Sequence, residues 1–272
     1  MRLPIFQVDA FTGCVFRGNP AAVMPLETWL EDEILQAIAT ENNLSETAFV
    51  RPTGEDAVFE LRWFTPTVEV PLCGHATLAS AFVLMTEVNL ALEQVAFETR
   101  SGRLEVRRNG DRYTMDFPAL EVRPAERPER AISAVGGTPK TVMKSNNWLF
   151  VYEREQEVAG LDISVSALAS ALAEDDRNAG VICTALAADH RADFVSRFFA
   201  PCHGIPEDPV TGSAHCSLVP YWARRLGRAH LHALQISARG GELFCCDRGT
   251  RVEIAGRAVK YMEGIAEIPT AP

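Results

Sequence analysis

The stretch Pro71-Leu72-Cys73-Gly74-His75-Ala76-Thr77 decides the fold, because the chain carries a second version of it, Pro209-Val210-Thr211-Gly212-Ser213-Ala214-His215. The segments that lead into the two copies also match, since Arg62–Pro66 precedes the first and Arg197–Pro201 precedes the second. The copies lie about half of the 272 residues apart, far more than the roughly 20–50 residues of a solenoid repeat. The pattern therefore predicts two related domains, each with a strand, a glycine turn and a helix in that order.

The two helix starts are candidate anion sites. A helix that begins directly after a glycine turn leaves its first N–H groups and the positive end of its dipole available to a carboxylate or phosphate. Polar His75 and Ser213 follow the two glycines, and Asp208 precedes the second turn. One hypothesis is that two homologous halves present these starts across a cleft. The alternative, two ordinary strand-to-helix turns, stays open at this point.

Hydrophobic periodicity predicts an α+β fold around these turns. Apolar residues at helical spacing predict an amphipathic surface helix from about 27 to 41, whereas residues 76 to 88 are apolar nearly all round and predict a buried helix wrapped by strands. Residues 213 to 227 predict the matching helix of the second half, and short strands fill most of the remainder. The proline-rich stretch 118–131 predicts a linker between a domain at 1–117 and a domain at 132–272, whose last residues return to the first domain.

Composition narrows the function classes. A net charge of −10 disfavours nucleic acid and anionic membranes as partners. The apolar fraction of 47% is typical of a globular protein, and the longest apolar run, residues 76–85, is too short to cross a membrane. Seven cysteines without a CxxC pair indicate free thiols in a reducing compartment. With no signal peptide in the sequence, we expect a cytoplasmic protein.

Three acidic or basic side chains stand out as candidates for chemistry. Glu46 comes directly before an apolar strand, so we expect it to be partly withdrawn from water, as suits a general acid or base. His75 lies at a helix start, where the dipole disfavours its charged form, which predicts a neutral hydrogen-bond partner. Asp208 precedes the second helix, and two roles fit that position: its carboxylate faces a ligand, or it only caps the helix. On spacing alone, an ordinary structural role remains open for each of the three.

Metals and nucleotide cofactors have no sequence signature. His230 and His232 lack carboxylate or cysteine companions nearby, so no zinc site is predicted. No GxGxxG motif follows a strand, and no Walker loop is present. Neither Cys73 nor Ser213 has the context of a hydrolase nucleophile elbow. We therefore expect an activity that needs neither a metal nor a cofactor.

At this point the motifs resemble those of the phenazine-biosynthesis PhzF-like family. They occur in the family's order along residues 7–214, namely Gln7–Thr12, Phe16–Ala21, Leu44–Phe49, Phe64–Pro66 with Val70–Thr77, and Glu207–Ala214. The resemblance implies the diaminopimelate-epimerase-like fold: two similar α+β domains, each a curved mixed sheet wrapped around a central helix, with the site between them. Family members are often homodimers.

The resemblance also implies roles for individual residues. In the phenazine enzyme, a cofactor-free isomerase, one glutamate moves a proton between carbons, and that residue is similar to Glu46 here. By the same likeness His75, Asp208 and Ser213 hold a small carboxylate-containing substrate and relay protons, with His75 and Asp208 counted as catalytic beside Glu46. The helix-start N–H groups at Gly74-His75 and Gly212-Ser213 bind the carboxylate of the substrate.

Two other functions stay open. The related epimerases use two cysteines, but here Cys73 matches the first and Pro209 stands at the second. An epimerase or racemase that pairs Cys73 with a different partner is one alternative to the isomerase. The other is a non-catalytic protein that binds a small acid. Neither the substrate nor a part in phenazine synthesis is predicted.

Overall fold

The computed structural model describes residues 1–268, and the chain divides into two compact units. The first unit comprises Met1–Asp116 together with the chain from Ala255 onward, and the second comprises Phe117–Ile254. None of the helices in the described residues is both long enough and apolar enough to span a membrane.

The first unit is a mixed sheet with two helices. Its strands are β1 (Arg2–Ala10), β2 (Asn19–Pro25), β3 (Glu46–Pro52), β4 (Val58–Phe64), β5 (Glu69–Val70), β6 (Gln94–Thr99), β7 (Gly102–Asn109), β8 (Arg112–Pro118) and β18 (Ala258–Glu267), and its helices are α1 (Asp32–Asn42) and α2 (Gly74–Val83). Strand β1 pairs antiparallel with β18 and β2, β2 pairs parallel with β3, β3 pairs antiparallel with β4, and β4 pairs parallel with β6. The short β5 pairs with β4, and β7 continues the sheet beyond β6.

Helix α2 is the buried helix of this unit. Eight of its ten residues are buried, and it packs against β1, β2, β3 and β18. Helix α1, in contrast, buries one face through Leu35, Ile38 and Ala39. An all-apolar helix is stable where strands cover it on several sides. The fold is therefore the predicted α+β class, with a mixed sheet around a central helix.

The second unit follows the same plan. Its strands are β9 (Arg123–Pro124), β10 (Thr141–Lys144), β11 (Trp148–Val151), β12 (Val181–Leu186), β13 (Phe194–Ala200), β14 (Ile205–Asp208), β15 (His230–Gln235), β16 (Gly241–Asp247) and β17 (Arg251–Gly256), and its helices are α3 (Glu129–Val135), α4 (Glu155–Ala159), α5 (Val165–Asp175) and α6 (Gly212–Leu226). Strand β10 pairs antiparallel with β11, β11 parallel with β12, β12 antiparallel with β13, and β13 parallel with β15.

This succession of pairings repeats that of the first unit. The order β1, β2, β3, β4, β5, α2, β6 corresponds to β10, β11, β12, β13, β14, α6, β15, with parallel and antiparallel contacts at the same steps. The repeat that the two glycine turns predicted is therefore present as a repeated topology.

Two details differ from the expectations. The predicted helix 76–88 is α-helical only to Val83 and ends in a π-helical turn at Leu84–Val88, which the bond from Asn89 N–H to the Leu84 carbonyl closes. The predicted linker 118–131 contains β9, which pairs with β10, and the first turn of α3. Val122 and Ala131 of that stretch are buried, so contacts place it in the second unit.

Gly18 shows how tightly the turn before β2 is built. Its φ is +65°, and a Cβ at this position would overlap the carbonyl oxygen of Ala10. Gly110 has a similar φ of +62°, but a Cβ there would meet none of the described atoms within 4 Å. Alanine substitutions at Gly18 and Gly110 therefore separate the free-energy cost of a left-handed backbone conformation from the cost of a steric clash.

We predict that Gly18→Ala lowers the free energy of unfolding by at least about 2 kcal/mol more than Gly110→Ala does. Both variants strain φ by about 1–2 kcal/mol, but Gly18→Ala also forces the backbone of β1 and β2 apart. Urea denaturation of the two variants and the wild type measures the difference. Equal losses would contradict the assigned contact.

His215 of α6 is a buried histidine of the second unit with 0% exposure. Its Nδ1–H donates to the Thr211 carbonyl at 2.8 Å, and its ring packs against Phe194 at a centroid distance of 5.9 Å. Within residues 1–268, Nε2 has no hydrogen-bond partner. Burial lowers the pKa of His215 to about 4, and the Thr211 carbonyl opposes that change only in part.

We predict that His215 makes the protein less stable as the pH falls from about 6.5 to about 4. In this pH window His215 is protonated in the unfolded chain but not in the folded chain. The free energy of unfolding therefore falls by up to about 3 kcal/mol as the pH falls. His215→Gln should remove that part of the pH dependence. His203→Gln, which changes an exposed histidine, should leave it intact, and identical profiles for the wild type and His215→Gln would contradict the prediction.

Candidate active site

A salt bridge between β4 and β5 fixes the segment that leads into α2. Arg62 of β4 donates two hydrogen bonds to the Glu69 carboxylate of β5, both at 2.8 Å. The guanidinium also lies over the Phe64 ring, 5.1 Å from its centroid. A bidentate arginine–carboxylate pair fixes direction as well as distance, so β5 leads the chain into α2 at a defined place.

Glu46, Cys73 and His75 form a buried cluster beside this helix start, with 8%, 7% and 5% exposure. Glu46 Oε2 lies 3.0 Å from His75 Nε2. That distance suits an ion pair. Within residues 1–268, however, Glu46 Oε2 has no partner whose geometry meets the criteria of a hydrogen bond. The Cys73 sulfur lies 3.5 Å from His75 Nδ1 and 4.0 Å from Nε2.

Local structure explains why these three side chains meet. Glu46 is the first residue of β3, where it pairs with Ala21 of the parallel strand β2. Cys73 is the N-cap of α2, so His75 is the second residue of the helix. Because α2 packs on β2 and β3, the start of the helix comes to lie beside the start of the strand. The sequence indicated Glu46 and His75 separately, and the structure places them in contact.

The prediction that His75 is a neutral partner depends on the charges around it. Burial alone would lower the pKa of His75, but the Glu46 carboxylate raises it. The helix dipole amounts to about half an elementary charge, whereas the carboxylate carries a full charge 3.0 Å from the ring. The carboxylate therefore outweighs the dipole in its effect on the pKa of His75.

Cys73 is a protonated thiol in this environment. Burial, reinforced by the Glu46 carboxylate, raises the pKa of Cys73 to about 11, and the nearby His75 offsets this only in part. A thiol must lose its proton before it acts as a base or a nucleophile. Cys73 is therefore a poor candidate for the base of this cluster at neutral pH.

The same cluster contains the donor atoms that a metal ion would use. One ligand atom from each of Glu46, Cys73 and His75 lies within 4.8 Å of the others. Oxygen, sulfur and nitrogen donors of this kind suit zinc. The prediction that the protein uses no metal remains a prediction.

The second unit carries a different polar cluster at the start of α6. Asp208 ends β14 and is half-buried. Its Oδ2 accepts a hydrogen bond of 2.6 Å from the Thr211 hydroxyl, and its carbonyl accepts one of 2.8 Å from the Gln235 amide. The Gln235 side chain also accepts from the Thr211 N–H at 2.9 Å. These bonds fix the turn that precedes Gly212, the first residue of α6.

Gly212 and Ser213 begin α6 as Gly74 and His75 begin α2. Gly212 is buried, while Ser213 is exposed. The supporting salt bridge is repeated as well, because Arg197 of β13 binds the Glu207 carboxylate of β14 at 2.7 and 3.0 Å. Its guanidinium lies over Phe199 at 5.0 Å, as that of Arg62 does over Phe64. Each unit thus positions its helix start with the same pair of side chains.

Sequence reasoning missed four polar residues that support these clusters. Asn19 and Ser45 contact each other beside His75, and Thr211 and Gln235 contact Asp208. Asn19 lies in the Gly18-Asn19-Pro20 segment, whose sequence indicates only a turn. The structure buries Asn19 fully at the first position of an apolar strand, where an amide needs partners, but sequence spacing does not reveal that burial.

Comparison with known proteins places this geometry in a family. The profile of the phenazine biosynthesis-like proteins matches residues 8–264. A Pseudomonas aeruginosa protein named as an uncharacterised isomerase is 52% identical over 268 residues, which cover 97% of this chain and 98% of that protein. The human phenazine biosynthesis-like domain-containing protein is 42% identical, with 97% and 99% covered.

A solved structure agrees with these relatives. The crystal structure of a PhzF-family protein from Enterococcus faecalis is 43% identical and superposes with a TM-score of 0.90 over 98% of this chain and 100% of that one. Profile, relatives and structure all extend over nearly the whole chain, in agreement with the motifs. The protein therefore belongs to the phenazine biosynthesis-like, or PhzF, family.

Proposed function

We propose that the protein is an isomerase that moves a proton, and with it a double bond, within a small carboxylic acid, with Glu46 as the acid and base and with no cofactor. The observation that carries the proposal is the buried Glu46 carboxylate, 3.0 Å from His75 Nε2 at the start of α2. A carboxylate held out of water beside a hydrogen-bonding imidazole suits proton transfer from carbon.

The chemistry balances with one acid/base group. Glu46 takes a proton from the carbon next to an unsaturated system, and the electron pair of that C–H bond is spread over the conjugated acid. Glu46 then returns the proton to the other end of the system, so no electrons are gained or lost. The N-terminus of α2 and the His75 side chain stabilise the intermediate anion.

Substrate binding is proposed for residues of both units. Gly74 and His75 begin α2, and Gly212 and Ser213 begin α6, so their N–H groups suit a carboxylate. Asp208 is proposed to orient the substrate, because the bonds from Thr211 and Gln235 hold it in one place. Phenazine synthesis itself is not proposed, since a shared fold transfers the type of reaction better than the substrate.

The epimerase alternative is less well supported. A two-base reaction needs a second group on the opposite face of the carbon, and Pro209 stands where the related epimerases have their second cysteine. Cys73, with a pKa raised by burial to about 11, is a poor base at neutral pH. A single carboxylate that removes and returns the proton on one face agrees better with the cluster.

We predict that Glu46→Gln lowers turnover at least about a hundredfold, because general acid–base catalysis is typically worth that much or more. The assay is deuterium incorporation from heavy water into a panel of small unsaturated and amino carboxylic acids, read by mass spectrometry. Glu60→Gln is the matched control, because it changes a half-buried carboxylate of β4 that binds Trp29. Full activity of Glu46→Gln would remove Glu46 from the role.

The same assay separates the three functions. We predict that Cys73→Ser loses far less activity than Glu46→Gln, whereas the reverse order would support the cysteine epimerase. A panel compound that raises the melting temperature of the wild type but takes up no deuterium would support a binding protein. Thermal shifts measured on each variant show whether it still folds.

A further inference from the structure

Gln235 is a buried amide that contacts the turn before α6 at three points. It ends β15 and is 1% exposed. Its Oε1 accepts a hydrogen bond of 2.9 Å from the Thr211 N–H, and its Nε2 donates to the Asp208 carbonyl at 2.8 Å. The same Nε2 lies 3.1 Å from the Thr211 hydroxyl oxygen, which in turn lies 2.6 Å from Asp208 Oδ2. A side chain of another strand thus reaches both ends of the turn.

The backbone decides which way this amide points. A backbone N–H only donates and a backbone carbonyl only accepts, so the amide oxygen has to face the Thr211 N–H and the NH2 group has to face the Asp208 carbonyl. The NH2 group beside the Thr211 hydroxyl makes that oxygen an acceptor. A hydroxyl has one proton to donate, and the short contact with Asp208 Oδ2 receives it. The hydrogen bonds therefore run one way, from Gln235 through Thr211 to Asp208.

This direction defines the state of the Asp208 carboxyl group. Its Oδ2 accepts a hydrogen bond, and a bond donated to a carboxylate is shorter and stronger than one between neutral groups. Such a bond favours the ionised form and restricts rotation of the group. A side chain that binds a ligand has to be held within about 0.5 Å of its productive position by supporting bonds of this kind.

Other contacts at the turn are shared by both units. Ser237 donates to the Pro209 carbonyl at 2.8 Å, and Ser101 donates to the Pro71 carbonyl at 2.7 Å. Each of these prolines is the first residue of the motif in its unit. Like the arginine–glutamate pair, this serine bond is present whether or not an acidic residue precedes the motif. It therefore belongs to the scaffold.

The first unit has different residues at all three positions of the one-way chain of bonds. The positions that match Asp208, Thr211 and Gln235 hold Val70, Cys73 and Thr99. The Thr99 hydroxyl donates to the Gly102 carbonyl within its own hairpin. Amide and hydroxyl thus occur together in the unit that has a carboxylate to hold. This favours a role in holding Asp208 over a role in building the turn.

We propose that Gln235 and Thr211 are positioning residues that hold the Asp208 carboxylate in one orientation and keep its Oδ2 an acceptor. Their effect on substrate binding rests on the proposed function, in which Asp208 orients a small carboxylic acid. The direction of the bonds is a property of the protein without substrate and does not depend on that function.

The first test is neutron diffraction from crystals of the full-length protein soaked in heavy water, without ligand. The deuteron of the Thr211 hydroxyl should lie on the line to Asp208 Oδ2, and the Gln235 amide should direct its deuterons at the Asp208 carbonyl and the Thr211 hydroxyl oxygen. A hydroxyl deuteron that points to Gln235, or a deuteron bonded to Asp208 Oδ2, would overturn the proposal.

The second test measures the effect on binding. Thr211→Val keeps the shape of the side chain and removes the hydroxyl. We expect it to raise the KM of a panel acid at least about tenfold, as for the loss of a hydrogen bond to a charged group, with kcat changed less than about threefold. Where a panel acid binds without taking up deuterium, Kd from thermal shifts replaces KM. Thr211→Ser restores the hydroxyl and should return the constant to within about threefold of the wild type.

Ser237→Ala is the matched control, because it removes the scaffold bond to the same turn. It should lower the melting temperature and leave KM unchanged. Gln235→Glu keeps the size of the side chain but accepts instead of donating, so the Thr211 hydroxyl turns toward it and away from Asp208. This variant should also raise KM, and it replaces Thr211→Val if that variant fails to fold.

Two results contradict the proposed positioning role. One is wild-type binding by both Thr211→Val and Gln235→Glu, and the other is an equal rise of KM in Ser237→Ala, which would show that any weakening of the turn suffices. Glu46→Gln is expected to lower kcat instead of raising KM. Failure of the proposed function and failure of this inference therefore give different results.

Discussion

The arrangement of the first unit depends on the contact between the Glu46 carboxylate and the His75 ring. Bringing a carboxylate to 8% exposure is unfavourable unless a compensating charge is close. The parallel pairing of β2 with β3 sets where Glu46 begins its strand, and the packing of α2 on both strands sets where His75 meets it. Strand pairing and helix packing thus determine an electrostatic interaction that neither element could provide by itself.

The two units use one backbone plan for two kinds of chemistry. In both units, an arginine on the longer strand binds a glutamate on the short strand. The same guanidinium lies over a phenylalanine ring two residues further along, with Arg62 over Phe64 and Arg197 over Phe199. The helix starts themselves differ, because the first carries titratable side chains while the second carries the neutral groups of Thr211 and Gln235 around Asp208. The two units therefore share the side chains that support the helix start but differ in the polar side chains around it.

The sequence predicted the repeat, the α+β class and most strands, because the motif at Gly74 and Gly212 and the alternation of apolar residues are local signals. It also singled out Glu46, His75, Asp208, Gly212 and Ser213 as site residues. The raised pKa of His75 could not be predicted, because it depends on a glutamate 29 positions away in the chain and on how closely the two approach. Asn19 and Gln235 escaped notice for the same reason, since a partner across the sheet leaves no trace in sequence spacing. The roles assigned to the site residues, the cleft between the halves, the homodimer and the cytoplasmic location remain predictions.

The return of the chain to the first unit through β18 has a consequence for biosynthesis. Strand β1 pairs with β2 and with β18, and the ribosome makes β18 after all the other strands of the described residues. Until then β1 is an open edge with unpaired N–H and C=O groups, a surface that attracts other strands. The second unit is continuous in sequence and can complete itself earlier. The unit that holds Glu46 and His75 therefore closes after the second unit, and one edge of β1 stays unpaired until β18 has been made.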